Sequence, residues 1–176
     1  FGTDGWRDVI GERYTFANLK IVSQAVADYL GPGKRVAVGY DTRFMSDRFA
    51  QIAAQVLASN SLEVVLSDRA IPTPTLSFTV KKNKLDLGIM ITASHNPSEY
   101  NGFKIKTPSG GAAGPEITED VEGCLGKTPV KVTPNQTGRL TKKDLISDYI
   151  KFIRHYIALK KIRHKKFKVL VDAMYG

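Results

Sequence analysis

Short apolar runs mark the predicted strands of this chain. Val36–Tyr40, Glu63–Leu66 and Leu85–Thr92 are brief, rich in branched residues and flanked by polar breaks, as is typical of buried strands. A fourth strand, Gly102–Lys106, is predicted after Asn101-Gly102, a dipeptide that indicates a turn. Because this connection is too short for a crossover, we expect the fourth strand to pair antiparallel with the third.

Between these runs, apolar residues recur at helical spacing. Thr15 and Ser46 are the predicted N-caps of two helices, and shorter helices are predicted over 74–82 and 116–125. Strands that alternate with helices indicate an α/β fold. We therefore predict a three-layer α/β/α domain with a mixed, mostly parallel sheet.

The pattern changes in the last third of the chain. Residues 126–138 are polar, contain proline and glycine, and are predicted to be a linker. An amphipathic helix is predicted over Thr141–Leu159, and a further strand over Phe167–Asp172. We therefore divide the chain into a first domain, 1–139, and a segment, 140–176, that holds the crossover helix and first strand of a second, similar domain.

Composition places the chain among ordinary globular proteins. Of its 176 residues, 42% are hydrophobic and 24% are charged. No apolar stretch has the length needed to span a bilayer, so we expect no membrane partner. The single cysteine, Cys124, excludes an internal disulfide and is typical of a reducing compartment. We therefore predict a cytoplasmic protein.

The formal net charge of +9 predicts an anionic partner, either a phosphorylated small molecule or a nucleic acid. Much of the charge lies in the basic run, Lys160–Lys168. Phe167 is the only aromatic residue there, so a stacking platform for bases is not expected. We favour a solvated linker without nucleic acid, and a nucleic-acid-binding module that uses this run is the alternative function.

The most informative polar segment follows the third predicted strand. Its sequence, TASHNP (residues 92–97), consists of small and polar residues and predicts a tight loop. Beside Ser94, His95 and Asn96 are potential hydrogen-bond donors, and Lys104 lies on the next predicted strand. A serine hydroxyl with such donors and a lysine nearby is suited to holding a phosphoryl group. From the residues alone, a serine that stabilises a polar turn is the commoner case. A serine-hydrolase site is excluded because Ser94 and His95 are adjacent and no G-x-S-x-G motif occurs.

Two motifs carry a resemblance to a known family. TASHNP followed by EYNGFKIK resembles the phosphoserine loop of the α-D-phosphohexomutases, the phosphoglucomutase/phosphomannomutase family. FGTDGWRD, residues 1–8, resembles the N-terminal signature of the same family. Their order and rough separation also match, and the resemblance implies the N-terminal domain of such an enzyme.

The resemblance implies roles for the residues of the TASHNP loop and the strand that follows it. Ser94 would carry the transferable phosphate, while His95 and Asn96 would donate hydrogen bonds to phosphoryl oxygens or position the serine. Lys104 would approach the phosphoserine, where it would neutralise charge or assist proton transfer.

Arg7 corresponds to the arginine of the N-terminal signature, and the resemblance implies that it lies beside the same phosphate. An ion pair with Asp4 or Asp8 is the structural alternative. Asp41 and Arg43 follow a predicted parallel strand, where ligands often bind, but we favour an internal ion pair between them.

The implied reaction interconverts hexose 1-phosphates and hexose 6-phosphates, of glucose or mannose, through a phosphoserine and a bisphosphate intermediate. The expected cofactors are Mg²⁺, held through the phosphate on Ser94, and a hexose 1,6-bisphosphate primer. The remaining metal ligands are expected in a second domain that this sequence does not contain. The partners are therefore the hexose phosphate and the later domains of the same enzyme, and the chain is expected to be inactive alone.

Overall fold

A computed structural model describes residues 2, 5–133 and 139–172. Predictions that concern Phe1, Thr3 and Asp4, the end of the linker at 134–138, and residues 173–176 lie outside this part. The described elements, in chain order, are β1 (Trp6–Val9), α1 (Phe16–Leu30), β2 (Arg35–Tyr40), α2 (Ser46–Ser59), β3 (Glu63–Ser67), α3 (Thr73–Lys82), β4 (Leu87–Ile91), β5 (Tyr100–Lys106), α4 (Pro115–Glu122), β6 (Leu140–Lys143), α5 (Ile146–Tyr156) and α6 (Leu159–Arg163).

The strands form one mixed sheet in the order β1-β5-β4-β2-β3-β6. Strand β2 is parallel to β3 and β4, and β3 is parallel to β6. Strand β5 runs antiparallel to both β1 and β4. The predicted mixed, mostly parallel sheet and the predicted antiparallel fourth strand are both confirmed.

Hydrophobic packing on both faces of the sheet produces the three layers. The larger core lies under α1, α2 and α4, where the buried rings of Tyr14 and Phe49 meet edge to face, with centroids 4.8 Å apart. A smaller core on the other face joins α3 to residues that include Met90 and Leu145. Burial of each large side chain contributes roughly 1.5–3 kcal/mol. The two cores hold the central strands in place and so fix the positions of the loops at their ends.

The predicted turn at Asn101-Gly102 is wrong, because both residues lie inside β5. A glycine is needed at position 102 for close approach rather than for a turn. A Cβ atom there would lie 2.6 Å from the Thr92 carbonyl oxygen and 2.7 Å from Cγ of Arg7. The chain reverses before β5 instead, within the loop that carries Ser94.

The predicted start of a helix at Thr141 is also wrong. Thr141 lies in β6, opposite Val65 of β3. Helix α5 begins five residues later, at Ile146, because the Asp144 carboxylate accepts hydrogen bonds from the backbone N–H groups of Ile146 (2.9 Å) and Ser147 (3.0 Å). The sheet therefore includes residues 140–143 as its edge strand, β6.

The predicted strand Phe167–Asp172 is absent from the structure. These residues have no regular secondary structure, and within the described part of the chain no strand pairs with them. Their apolar side chains are exposed, with Leu170 95% accessible. The assignment of 140–176 to a second domain stays a prediction.

Among the described helices, none combines the length and the apolar character that a membrane span requires.

Candidate functional site

The candidate site lies at the carboxyl edge of the parallel strands. The segment after β2, residues 41–45, is adjacent to the serine loop, residues 93–99, because Asp41 N donates to the carbonyl oxygen of Ile91 (3.1 Å). Ligands of open α/β sheets commonly bind at this edge.

The serine loop is tightly bent. Ser94 N donates to the Thr92 hydroxyl (2.9 Å), and Asn96 N donates to the Ala93 carbonyl oxygen (3.1 Å). Ser94 has φ of 57°, a left-handed conformation that few non-glycine residues adopt. Ser94 is exposed, so its hydroxyl is accessible to a ligand.

Arg7 reaches this loop from the first strand of the chain, β1. Strand β1 pairs with β5 so that Arg7 lies opposite Gly102. Its Nη1 donates to Oδ1 of Asn96 (2.9 Å). The fold therefore brings together two of the predicted site residues. Asp8, one of the alternative partners of Arg7, instead accepts a hydrogen bond from Val9 N (2.9 Å).

His95 and Lys104 differ sharply in environment. His95 is exposed, and its side chain makes no hydrogen bond within residues 5–133 and 139–172. Lys104 lies on β5 opposite Met90 and is only 6% exposed. Gly5, with φ of 97°, packs directly on this strand, since a Cβ there would lie 2.4 Å from the Phe103 carbonyl oxygen and 3.1 Å from Cγ of Lys104. Lys104 is therefore a buried cation and not a solvated strand lysine.

Arg43 makes the most extensive side-chain contact with the serine loop, a role that the sequence did not predict. Its guanidinium donates to four backbone carbonyl oxygens: those of Ser94 (from Nη2, 2.8 Å), Asn96 (from Nη2), Pro97 (from Nη1, 2.8 Å) and Tyr100 (from Nη1, 3.0 Å). The predicted ion pair is confirmed as well, with Nε 3.7 Å from Oδ2 of Asp41. The only feature of the sequence that pointed to a role for Arg43 was the position of Asp41-Thr42-Arg43 at the end of a central strand.

Asp41 connects this arginine to α2 and β5. Its Oδ1 accepts hydrogen bonds from the Ser46 hydroxyl (2.8 Å) and from Arg43 N (3.0 Å). The Ser46 oxygen in turn accepts from Nδ2 of Asn101 (2.9 Å). Ser46 was predicted to be the N-cap of α2, but Met45 is the N-cap and Ser46 is the first helical residue. Its hydroxyl is used for the contact with Asp41 instead.

Tyr14 supports β5 beneath the site. Its hydroxyl donates to the Gly102 carbonyl oxygen (3.0 Å). Burial, and secondarily the negative charge of Asp41, raise the pKa of Tyr14 well above its ordinary value. The phenol is therefore a neutral donor at physiological pH.

The part of the chain that the structure describes contains no group of three or more His, Cys, Asp or Glu side chains placed to hold a metal.

A comparison with protein families matches residues 1–129 to the model described as phosphoglucomutase/phosphomannomutase, alpha/beta/alpha domain I. The match includes all the predicted site residues.

Comparisons with individual proteins indicate the same family. A phosphoglucomutase of Staphylococcus saprophyticus is 39% identical over 140 residues, covering 75% of this chain and 25% of that protein. A phosphoglucosamine/phosphogalactosamine mutase of Sulfurisphaera tokodaii is 32% identical over 175 residues, covering 98% of this chain and 38% of that protein. A crystal structure from Thermus thermophilus, of a protein assigned as a phosphomannomutase, superimposes with a TM-score of 0.82 at 38% identity, covering 91% of this chain and 36% of that one. The chain thus spans well under half the length of these relatives.

Proposed function

Because this chain belongs to the phosphoglucomutase/phosphomannomutase family, we propose that it forms part of a phosphohexomutase, which interconverts hexose 1-phosphates and hexose 6-phosphates. The observation that carries the proposal is the serine loop. Ser94 is exposed at the carboxyl edge of the sheet, in a left-handed conformation, and Arg7 is held beside it by Asn96.

In the proposed reaction, Ser94 begins with a phosphoryl group on its Oγ. A free hydroxyl of the hexose phosphate attacks the phosphorus and the bond to the serine oxygen breaks, while the proton of the attacking hydroxyl is passed to the departing serine oxygen, which leaves Ser94 as a free hydroxyl. The product is a hexose 1,6-bisphosphate. After this intermediate turns over in the site, its other phosphate returns to Ser94, which restores the phosphoenzyme and releases the isomeric monophosphate.

The chain's own cations would stabilise the charge on the transferring group. Arg7 uses one N–H on Asn96, which fixes the guanidinium near the loop and leaves other donors for phosphoryl oxygens. Lys104 is 6% exposed, and a cation in such a low-dielectric setting acts more strongly on nearby charge than a solvated one. His95 is an exposed donor next to Ser94.

Magnesium fits this site only through the phosphate on Ser94, because the described residues offer no carboxylate cluster. When bound there it would supply Lewis-acid stabilisation of the transferring phosphoryl group. Its remaining ligands would come from outside the part of the chain that the structure describes.

We infer that the chain alone is inactive. Mutase chemistry requires a second anchor that grips the distal phosphate of the sugar in either orientation, and the chain spans only 25–38% of the two curated relatives. We propose glucose and mannose phosphates as substrates. The relatives named for amino sugars add glucosamine phosphate as a class to be assayed.

The test uses the full-length enzyme that contains this chain, with Mg²⁺ and a bisphosphate primer. Glucose 1-phosphate, mannose 1-phosphate and glucosamine 1-phosphate are compared as substrates. We expect Ser94→Ala to reduce turnover to background, while Ser98→Ala, an exposed serine of the same loop, retains it. Full turnover by the Ser94→Ala enzyme would refute the proposed function.

A further inference from the structure

The Arg43 side chain is saturated by contacts to the protein itself. A guanidinium carries two N–H groups on each Nη and one on Nε. Both Nη atoms donate to two carbonyl oxygens each, and Nε faces the Asp41 carboxylate at 3.7 Å. Arg43 therefore has no donor left for a phosphate, although it lies next to the serine loop.

All four carbonyl groups belong to the segment from Ser94 to Tyr100, which contains the whole turn between the serine and β5. The turn has few backbone hydrogen bonds of its own, those of Asn96 N and Tyr100 N being two of them. The φ of 57° at Ser94 is a conformation that persists in a non-glycine residue only when the surroundings enforce it. Arg43 supplies such enforcement from the next strand of the sheet.

Arg43 is itself held in place. Its side chain is only 15% exposed, and its carboxylate partner Asp41 is anchored by the Ser46 hydroxyl, which is buried and bonded to Asn101. The guanidinium is thus a rigid bridge between the end of β2 and the serine loop.

We propose that Arg43 is a positioning residue for phosphoryl transfer: it holds the serine loop in the one backbone shape that presents Ser94 Oγ for reaction. This inference rests on the proposed role of Ser94. Arg43 touches neither substrate nor phosphate, and it acts through the carbonyl groups of the loop.

Lysine cannot replace arginine in this role. A lysine ammonium keeps the positive charge beside Asp41, but it is a compact group and lacks the planar fork that reaches four separate oxygens. Arg43→Lys in the full-length enzyme therefore removes the bridge and leaves the charge. A displacement of about 1 Å at a reacting group lowers the rate by roughly 10²-fold.

The experiment compares Arg43→Lys with Arg69→Lys in the full-length enzyme. Arg69 follows β3 at the same edge of the sheet and pairs with Asp68 (Nε to Oδ1, 3.0 Å), but it makes no contact with the serine loop in the described residues. We measure kcat, KM for the hexose phosphate, the melting temperature, and amide hydrogen exchange of residues 93–100.

For Arg43→Lys we expect kcat to fall roughly 10²-fold while KM stays within about twofold, because an interaction needed only for the transition state is lost. Hydrogen exchange should accelerate in residues 93–100 and stay unchanged in α1 and β2. Arg69→Lys should match the wild type in all of these measurements.

Wild-type kcat and exchange in Arg43→Lys, with Ser94→Ala inactive, would overturn the inference and leave the proposed function standing. Faster exchange throughout the sheet would also overturn it, since the role would then be merely structural. Activity in Ser94→Ala would instead refute the proposed function. If Arg43→Lys folds poorly, Arg43→Gln, which keeps a planar amide donor, is judged by the same criteria.

Discussion

The serine loop and the basic run present positive charge in opposite ways. At the serine loop, two cations are held by the fold: Arg7 by Asn96, and Arg43 by four carbonyl oxygens and Asp41. Lys104 is buried on the neighbouring strand β5.

The basic run, Lys160–Lys168, has more cations and less structure. It includes the end of α6 and an irregular segment, and every residue in it is exposed. Within residues 5–133 and 139–172, no ion pair or side-chain hydrogen bond involves its Lys or Arg side chains. Solvent-exposed charges of this kind contribute little to stability and supply attraction without specificity.

The number of charges in a segment therefore does not identify a binding site. Much of the +9 net charge lies in the run, whereas the cations with fixed partners lie where strands from distant parts of the sequence meet.

Replacement of Lys104 should have the largest effect. In the full-length enzyme we expect Lys104→Met to lower kcat roughly 10²-fold or more, because a well-placed cation at a developing charge contributes a few kcal/mol to the transition state. Lys81→Met, at an exposed position of α3, is the matched control. Steady-state kinetics with parallel melting curves distinguish a loss of catalysis from a loss of stability. An unchanged kcat with an intact fold would reduce Lys104 to a structural residue.

Gly102→Ala tests the packing that holds β5 against its neighbours. The new Cβ would lie 2.6 Å from the Thr92 carbonyl oxygen and 3.0 Å from that of Trp6. Overpacking of this kind should lower the free energy of unfolding by about 1–3 kcal/mol, measured by urea denaturation. At Gly111 a Cβ meets only side-chain atoms at 3.5 Å or more. Equal losses in Gly102→Ala and Gly111→Ala would show that close approach is not what requires glycine at position 102.

Asp86 lies at the opposite end of β2 from the serine loop. Asp86→Asn should have a smaller effect on the free energy of unfolding, and that effect should depend on pH. A hydrogen bond from Arg35 N (2.8 Å), assisted by the Lys34 ammonium (3.1 Å), lowers the pKa of Asp86. Because the folded pKa lies below the unfolded value, the contribution is present above about pH 4 and is lost as the pH falls through the folded pKa.

We expect Asp86→Asn to lower the free energy of unfolding by about 1 kcal/mol at pH 7, where the carboxylate is charged. The difference from the wild type should vanish in acid. Urea titrations at several pH values provide the measurement. A difference that stays constant down to pH 2 would show that the charge of Asp86 is not involved.

Neutralisation of the basic run should have the smallest effect. We expect the triple variant Lys160→Gln, Lys161→Gln, Lys165→Gln to change the free energy of unfolding by less than about 0.5 kcal/mol, because these exposed side chains have no hydrogen-bond or ion-pair partner among the described residues. Filter binding of the wild-type protein across a salt series tests the alternative function. Submicromolar affinity for nucleic acid at moderate salt, lost in the triple variant, would show that the run is a binding site after all.

Local sequence signals predicted most of the fold. Thr15 was a correct N-cap, and its Oγ1 accepts from Asn18 N (3.2 Å). The buried strands were correct to within a few residues. Strand β6 was missed because its sequence, LTKK, has no apolar pattern, and three of its four residues are exposed at the edge of the sheet. Its position depends on pairing with β3, which no local signal reveals.

In the candidate site, too, local motifs identify some residues, whereas other contacts depend on how the strands pair. Ser94, His95 and Asn96 are contiguous, so a motif sufficed to single them out. The contact between Arg7 and Asn96 spans 89 residues and depends on β1 pairing with β5. The contacts of Arg43 depend on the order of β2 and β4 in the sheet. Asn101-Gly102 was misread because glycine serves close packing as well as turns.

Mass spectrometry can show directly whether Ser94 carries the transferable phosphate. The full-length enzyme is incubated with a hexose 1,6-bisphosphate, and its intact mass and peptides are then mapped. We predict a single added phosphoryl group, on Ser94, and none in the Ser94→Ala enzyme. A phosphoryl group on Ser98 or any other residue of this chain, with Ser94 unmodified, would contradict the account.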